Sequence, residues 1–351
     1  MPFRHTLASD GRQNGEVLGV PLSILDLASI GEGETLRESF AGCVRVAQLA
    51  ESLGYTRIWY AEHHNSETIA SSAPAVLIAH VAAHTTSIRL GSGGVMLPNH
   101  SPLTIAEQFG TLATIHPDRI DLGLGRAPGT DQVTVQAMRR DPRASEHFAE
   151  DVLELQAFLG SQSRVPNVVA TPGKNTFVPI YILGSSLYGA QLAALLGLPF
   201  AFASHFAPQA LHSALRIYRE RFTPSAMLSE PYAMAAISVI AADSFASAQS
   251  QFERRRRMFV RHRLSRPGAP RLTDAQVDEF LQTPQAASID EIFTYSAIGT
   301  PDHVIDVLKE FHESTGVNEI ITAHHAENTA MRLRSIELLA QAAQLQPLVH
   351  S

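Results

Sequence analysis

Residues 88–126 read IRLGSGGVMLPNHSPLTIAEQFGTLATIHPDRIDLGLGR, and this stretch decides the fold. Ile88–Leu97 is an apolar segment interrupted by glycines, and Arg119–Leu124 is a second, shorter apolar segment. Between them, Thr104–Ile115 has the apolar spacing of a helix. Because parallel strands need a long crossover, this strand–helix–strand order predicts a parallel βαβ unit. Its loops carry glycine, histidine and arginine, the residue types of a functional site.

The same alternation of strand and helix continues on both sides of this unit. Other apolar segments lie at Val20–Leu27, Tyr55–Tyr60, Pro179–Leu183, Phe200–Ala203, Ala233–Ala242 and Glu319–Ala323. Strands that are apolar throughout are typical of a parallel sheet covered on both faces. Eight such strands in 351 residues predict an α/β fold, the (β/α)8 TIM barrel. No GxGxxG turn follows the first strand, which argues against a dinucleotide-binding Rossmann fold.

The spacing of these segments predicts one domain over residues 1–351. Residues 1–17 lack an apolar pattern and are expected to form a flexible extension. Residues 243–300 are longer than one crossover needs, so we predict an extra helical insertion between strands 7 and 8. This insertion is a candidate lid over the barrel mouth, with a mobile segment expected around residues 265–270.

Composition excludes several classes of function. A net charge of −7 argues against nucleic-acid binding, and no apolar stretch approaches the roughly 18 residues of a membrane span. The single cysteine, Cys43, rules out an internal disulfide and fits a cytoplasmic location. The basic run Arg254–Arg257 is interpreted as a solvated helix face, with contact to an anion as the alternative.

Candidate functional residues follow from the barrel, because the active site of this architecture lies at the carboxyl ends of the strands. The polar residues there are Asp26, Glu62, His63, His64, His100, Arg126, His205, His324 and His325. Gly184-Ser185-Ser186 follows strand 5 and opens a helix, where free N–H groups and hydroxyls suit a phosphate. An ordinary serine N-cap explains the same residues equally well.

Two further features point to a flat ligand with an anionic end. Arg126 can bind two phosphate oxygens through its planar guanidinium, although an ion pair with Asp131 is the structural alternative. Gly93-Gly94 indicates a bulge or a ligand lying against bare backbone, or else a barrel corner turned without a ligand. The histidines leave a metallohydrolase open, but the first strand lacks a His-x-His pair and we predict no metal site.

The residues just described resemble a known family, the luciferase-like flavin-dependent monooxygenases, which includes the α subunit of bacterial luciferase. The resemblance is carried by LDLASI at 25–30, GYTRIWYAEHHN at 54–65, LGSGGVMLPNHSPLTIAEQFGTL at 90–112, RIDLGLGRAPGTDQ at 119–132 and PIYILGSSLYGAQLAALLGLPFAFASHF at 179–206. It implies a barrel that binds FMN or, in a sister branch, the deazaflavin F420. Reduced FMN, supplied by a separate flavin reductase, would react with O2 and oxidise a small-molecule substrate through a C4a-peroxyflavin. The resemblance also implies a homodimer.

Residue roles carry over motif by motif. Gly93 and Gly94 would form a bulge, often with a cis peptide, against the isoalloxazine ring. Arg126 would bind the phosphate, together with Ser185, Ser186 and the amides of Leu187 and Tyr188 beside Gly184. His63 takes the position of the histidine needed for activity, with Glu62 and His64 beside it as further catalytic residues. Asp26, His100 and His205 are predicted to contact the substrate.

The resemblance leaves other functions of the same fold open. One alternative is an F420- or FMN-dependent dehydrogenase that never uses oxygen, and another is a non-catalytic flavin-binding protein. Luciferase has an acidic residue where this chain has Ser185 and a tryptophan where it has Ser204. We therefore do not expect a long-chain aldehyde substrate or light emission.

Overall fold

Eight parallel strands close into a barrel in the computed structural model, which describes residues 17–264 and 272–347. The strands of the sheet are β1 (Leu22–Asp26), β2 (Arg57–Tyr60), β3 (Arg89–Met96), β4 (Ile120–Gly125), β5 (Ile180–Gly184), β6 (Phe200–Phe202), β7 (Ala233–Ala241), β8 (Ser296–Gly299) and β9 (Glu319–His324). Strands β1 to β7 pair in sequence order, and β9 pairs with both β7 and β1 to close the ring. The predicted TIM barrel is confirmed.

Helices lie outside the ring of strands. They are α1 (Leu36–Leu53), α2 (Pro74–Ala82), α3 (Pro102–Ile115), α4 (Gln132–Ala137), α5 (Phe148–Leu159), α6 (Leu187–Leu196), α7 (Leu211–Glu220), α8 (Phe245–Leu264), α9 (Asp274–Leu281), α10 (Ala286–Ile292), α11 (Pro301–Thr315) and α12 (Thr329–Ala343). Sequence signals set their ends: α1 begins with a Thr35–Glu38 capping box and ends at Gly54, where φ is +91°. Cys43 is buried in this layer of helices. The sequence pattern does not predict α12.

The insertion after β7 contains one strand that the sequence pattern does not predict. Helices α8, α9 and α10 pack around a small core of Val260, Val277, Ile289 and Phe293. The chain then forms β8, which pairs with Ser238–Ala241 of β7. The predicted helical insertion is therefore present, and it leads into this additional strand. Strand β6 is only three residues long and pairs with Ala233–Ala235, so the far half of β7 has a free edge that β8 covers.

Two predicted segments fall largely outside the described residues. The expected N-terminal extension is described only at Val17, which packs on the core, and residues 265–270 are not described. None of the helices in the described part combines the length and apolar composition needed to cross a membrane.

The amino ends of the strands hold a buried ion-pair network inside the barrel. Arg57 donates to Asp121 Oδ2 at 2.7 Å and to Glu319 Oε1 at 2.8 Å. Arg89 also pairs with Asp121, and Tyr232 donates to Glu319 at 2.6 Å. Trp59 lies two residues beyond Arg57 on the same face of β2 and donates to Asp121 at 3.2 Å. The network fills this end of the barrel and supports the apolar layer above it.

Candidate active site

A cavity of about 1750 Å³ opens at the carboxyl ends of the strands. Its walls come from the loops after the barrel strands and from α8 of the insertion. Among the predicted site residues, it is lined by His63, Gly93, Arg126, Gly184, Ser185, Ser186, Tyr188 and His205. The barrel thus brings together residues as far apart in the sequence as His63 and His205.

The floor of the cavity is apolar and is built around one glycine. Trp59, Leu25 and Ile321 belong to the inner apolar cluster of the barrel and line the cavity beside Gly93. A Cβ on Gly93 would lie 2.8 Å from Leu25 Cδ1 and 2.9 Å from Trp59 Cβ, so a side chain here would push into the floor. The packing of Leu25 and Trp59 thus requires glycine here, and the bare backbone of Gly93 borders the cavity.

The predicted bulge is present in β3. The register between β3 and β4 shifts between Ser92 and Val95, and the Gly93–Gly94 peptide is cis. Gly94 does not line the cavity. A Cβ there would lie 2.7 Å from the carbonyl oxygen of Gly123, so this glycine lets β3 pack on β4.

One end of the cavity presents uncompensated positive charge. Helix α6 begins at Leu187, and its N-cap residue Ser186 makes no side-chain capping bond. Ser185 and Ser186 are exposed, and the first N–H groups of a helix have no intrahelical partner. Arg126 lies above the ring of Tyr188, with 4.1 Å from Cζ to the ring centroid. Free N–H groups, hydroxyls and a guanidinium at one place suit a phosphate group.

The alternative interpretation of Arg126, an ion pair with Asp131, is not observed in the structure. Asp131 caps α4 by accepting from the Thr134 amide at 2.9 Å and also accepts from Asn65 at 3.0 Å. In the described ranges, no carboxylate forms an ion pair with Arg126. Its guanidinium therefore remains available for an anionic ligand.

His63 is the one residue of the Glu62-His63-His64 motif that lines the cavity. Burial lowers the pKa of His63 below its ordinary value, although the Gly129 backbone and Glu62 act in the opposite direction. The imidazole is therefore neutral near pH 7. A neutral imidazole can accept a proton at one nitrogen and donate one at the other.

Glu62, His64 and His100 form a separate cluster behind the cavity wall. The buried Glu62 carboxylate accepts from His64 Nε2 and His100 Nε2, each at 2.9 Å, and from the Met96 amide at 3.1 Å. Burial raises the pKa of Glu62, but the bonds from His100 and His64 outweigh it and lower the pKa to about 2. The cluster ties the loop after β2 to the loop after β3. It flanks His63 in the chain, whereas the sequence predicts catalytic roles for Glu62 and His64 and substrate contact for His100.

Asp26 also lies away from the cavity. Its carboxylate accepts from the Ala28 amide and from Arg332 Nη1 of α12, each at 2.8 Å. It therefore joins the end of β1 to the last helix, and the structure does not bring it to the predicted substrate position.

Two other histidines do line the cavity. Burial lowers the pKa of His205 to about 3, and the positive charge of Arg255 contributes. Burial likewise lowers the pKa of His325, which follows β9. His324, its neighbour, instead bonds to Ser335 Oγ at 2.8 Å. Over residues 17–264 and 272–347, no group of three His, Cys, Asp or Glu side chains is arranged to hold a metal ion.

Among the cavity residues that sequence reasoning misses are Trp59 and Arg255. Trp59 is the only tryptophan of the chain and could have been assigned to the barrel interior from the period of two along β2. Arg255 lies within four consecutive arginines of α8. Arg254 and Arg257 line the cavity too, and nothing in the run distinguishes the arginine that lacks a carboxylate partner from the other three.

Comparisons with known proteins show the family of this chain and agree with its fold. Residues 20–319 match the family model of the luciferase-like monooxygenases, and the chain belongs to this family. It is 47% identical over 320 residues to a luciferase-like monooxygenase of Escherichia coli (strain K12), covering 91% of this chain and 96% of the relative. Among solved structures it is similar to apo-MsnO8, with a TM-score of 0.83 and 36% identity over 94% of this chain and all of the other.

More distant structures share the fold. One is the oxygenating constituent of 3,6-diketocamphane monooxygenase from Pseudomonas putida in complex with FMN, with a TM-score of 0.68, 17% identity and coverage of 92% and 97%. Another is an F420-dependent secondary alcohol dehydrogenase, with a TM-score of 0.67, 14% identity and coverage of 92% and 99%. The first of these two structures holds FMN, and the second holds an adduct of the deazaflavin F420.

Proposed function

We propose that this protein is a two-component monooxygenase that uses reduced FMN and O2 to oxidise a small organic substrate. The observation that carries the proposal is the combination of features in one cavity. At one end, the unpaired guanidinium of Arg126 lies beside the open N-terminus of α6. The floor of the same cavity is formed at Gly93, and the neutral His63 also lines it. Membership of the luciferase-like monooxygenase family supports an oxidoreductase.

The residues at the charged end fit the phosphate of FMN. Arg126, Ser185, Ser186 and the amides of Leu187 and Tyr188 would hold it, because they offer donors that no protein group in the described part of the chain uses. The isoalloxazine ring would lie against Gly93, where a side chain would collide with the floor. When bound, reduced FMN supplies the two electrons and the atom at which dioxygen is activated.

The chain itself contributes exclusion of water and control of protons. The apolar floor around Trp59, Leu25 and Ile321 keeps the reaction in a dry environment, where stray proton transfer is slow. His63 is neutral near pH 7 and can exchange a proton with groups in the cavity. Residues of α8 cover the cavity from the insertion side, which suits the role of a lid.

An anaerobic titration tests this proposal. The cofactor-free protein would be titrated with oxidised FMN, FMNH2 and reduced F420, and binding followed by quenching of Trp59 fluorescence, since Trp59 lines the cavity. We expect FMNH2 to bind, and admission of air to give a transient spectrum that differs from that of free FMNH2 in air.

Two outcomes contradict the proposal. Tighter binding of reduced F420 than of FMNH2, with no reaction on admission of air, would indicate the dehydrogenase alternative. Failure of both cofactors to bind would remove the flavin assignment altogether. A separate flavin reductase, a homodimeric assembly and a cytoplasmic location stay predictions from the resemblance and the composition.

A further inference from the structure

Four consecutive arginines of α8 differ in their partners. Arg254 pairs with Glu32 at 2.7 Å and Glu327 at 2.8 Å, and Arg256 pairs with Asp290 at 2.7 Å. Arg257 pairs with Asp274 and Asp278. Arg255 has no ion pair and no hydrogen bond within residues 17–264 and 272–347, and its guanidinium carbon lies 5.1 Å from the centre of the Phe293 ring.

Arg255 lines the cavity and is largely shielded from water. Its Nη1 atom is buried and has no hydrogen-bond partner in the described part of the chain. Burial lowers the pKa of Arg255 to about 9, and no neighbouring carboxylate raises it again. A charge that is mostly shielded from water and has no counterion is destabilising, so proteins rarely keep one without a use.

Two histidines beside Arg255 also have unused polar atoms. His205 Nδ1 and His325 Nε2 are buried and lack hydrogen-bond partners among the described residues. Both side chains line the same cavity, and the positive charge of Arg255 lowers the pKa of each. Buried polar atoms that the protein leaves unsatisfied point to a bound group that satisfies them.

The acidic residues of the cavity do not supply the missing counterion. Glu32 and Glu327 are paired with Arg254, Asp274 with Arg257, and Glu253 lies 3.8 Å from Arg256. Each carboxylate that lines the cavity therefore already has a basic partner. Residues 17–264 and 272–347 therefore supply no anion to Arg255, and a bound ligand can supply it.

This cluster is separate from the phosphate end of the cavity. Arg126 follows β4 and contacts α6, which follows β5. Arg255 lies on α8, after β7, with His205 after β6 and His325 after β9. The charge of Arg255 affects the pKa of His205, whereas Arg126 is not among the groups that do so. The cavity thus offers two unpaired guanidinium groups at two places.

We propose that Arg255, together with His205 and His325, binds a carboxylate group of the molecule that the enzyme oxidises. A guanidinium presents two parallel N–H donors to a carboxylate, and each neutral imidazole adds one N–H donor. The substrate would therefore be an organic acid, anchored by its anionic end while the rest lies over the apolar floor. The inference rests on the proposed function only in assigning the anion to the oxidised molecule.

Calorimetric titration with two matched probes tests this site. Hexanoate and hexanamide have the same length and differ in charge, and each would be titrated into the protein with and without saturating FMN. We expect hexanoate to bind at least about ten-fold more tightly, the gain of a charge-assisted bond. Arg255→Met should abolish this preference. Arg256→Met is the matched control, because Arg256 neighbours Arg255 but pairs with Asp290 outside the cavity, and it should keep the preference.

Several results would overturn the proposal. These are equal binding of the two probes to the unmodified protein, and an unchanged preference in Arg255→Met. A loss of FMN affinity in Arg255→Met, with riboflavin affinity intact, would instead make Arg255 a ligand of the cofactor phosphate. If Arg255→Met does not fold, as judged by circular dichroism, Arg255→Lys carries the test and should show a reduced preference. A preference for hexanoate in protein that fails to bind FMN would support the anion site and count against the flavin function.

Discussion

Replacing Arg126 with alanine should weaken FMN binding and leave riboflavin binding unchanged. Riboflavin lacks the phosphate, so it serves as the matched ligand. The difference follows from the geometry: Arg126 stands beside the open N-terminus of α6, with no ion-pair partner in the described part of the chain. Removing it deletes the one guanidinium available to a phosphate there.

The size of the effect can be worked from charge and exposure. Two unit charges 4 Å apart attract by about 1 kcal/mol in water and by about 4 kcal/mol near a protein surface. Arg126 is exposed, so its contribution should lie between these limits, at about 2 kcal/mol. This corresponds to about a 30-fold increase in the Kd for FMN, since each 1.4 kcal/mol is tenfold.

Quenching of Trp59 fluorescence measures both ligands in one assay, because Trp59 is the only tryptophan and lines the cavity. Arg126→Lys should give an intermediate Kd, since lysine keeps the charge but not the two parallel donors. An unchanged Kd for FMN in Arg126→Ala would refute the phosphate assignment. An equal loss for FMN and riboflavin would show that Arg126 supports the ring site or the fold instead.

Three further substitutions test other parts of the structure. His63→Ala should keep FMN affinity but lower product formed per reduced flavin consumed by about 100-fold; unchanged coupling would make His63 a packing residue. Asp121→Asn should reduce the free energy of unfolding in urea by about 3–5 kcal/mol, because Arg57 and Arg89 lose a buried counterion; a loss under about 1 kcal/mol would contradict that account. The pKa of His205 is about 3 in the folded protein and about 6.5 in the unfolded chain. The unfolded chain therefore binds more protons, and the free energy of unfolding should fall as the pH drops below about 6.5. In urea titrations at pH 7.5 and 5.5, His205→Gln should lose less stability than the unmodified protein, by up to about 1.4 kcal/mol per pH unit; equal losses would speak against a buried neutral His205.

The barrel itself is predictable because its signals are local. Each buried strand is apolar throughout, each helix shows apolar spacing, and caps such as Thr35 and Gly54 mark the ends. Strand β8 is different. It pairs with β7 because β6 ends early and leaves the far half of β7 open. The residues Ser296–Gly299 show no pattern of their own that predicts a strand.

The candidate site divides in the same way. Sequence order alone assigns Gly93, Arg126, Ser185 and Ser186 to strand ends, and the structure brings all four to one cavity. Sequence order does not predict which side chains form hydrogen bonds or ion pairs with one another. Glu62, His64 and His100 occupy equivalent strand-end positions, yet their side chains bond to one another behind the wall.

The chain's own pattern of apolar and polar residues determined the closed barrel and the end of it where polar groups collect, because hydrophobic periodicity acts over a few neighbouring residues. Only the tertiary structure decided that His63 lines the cavity and His64 does not, and that Arg255 lacks the counterion its neighbours have. Those outcomes depend on how loops and helices from distant parts of the chain orient each side chain. Charge and hydrogen bonding are set by that orientation, and adjacent residues of the same type can therefore serve different purposes.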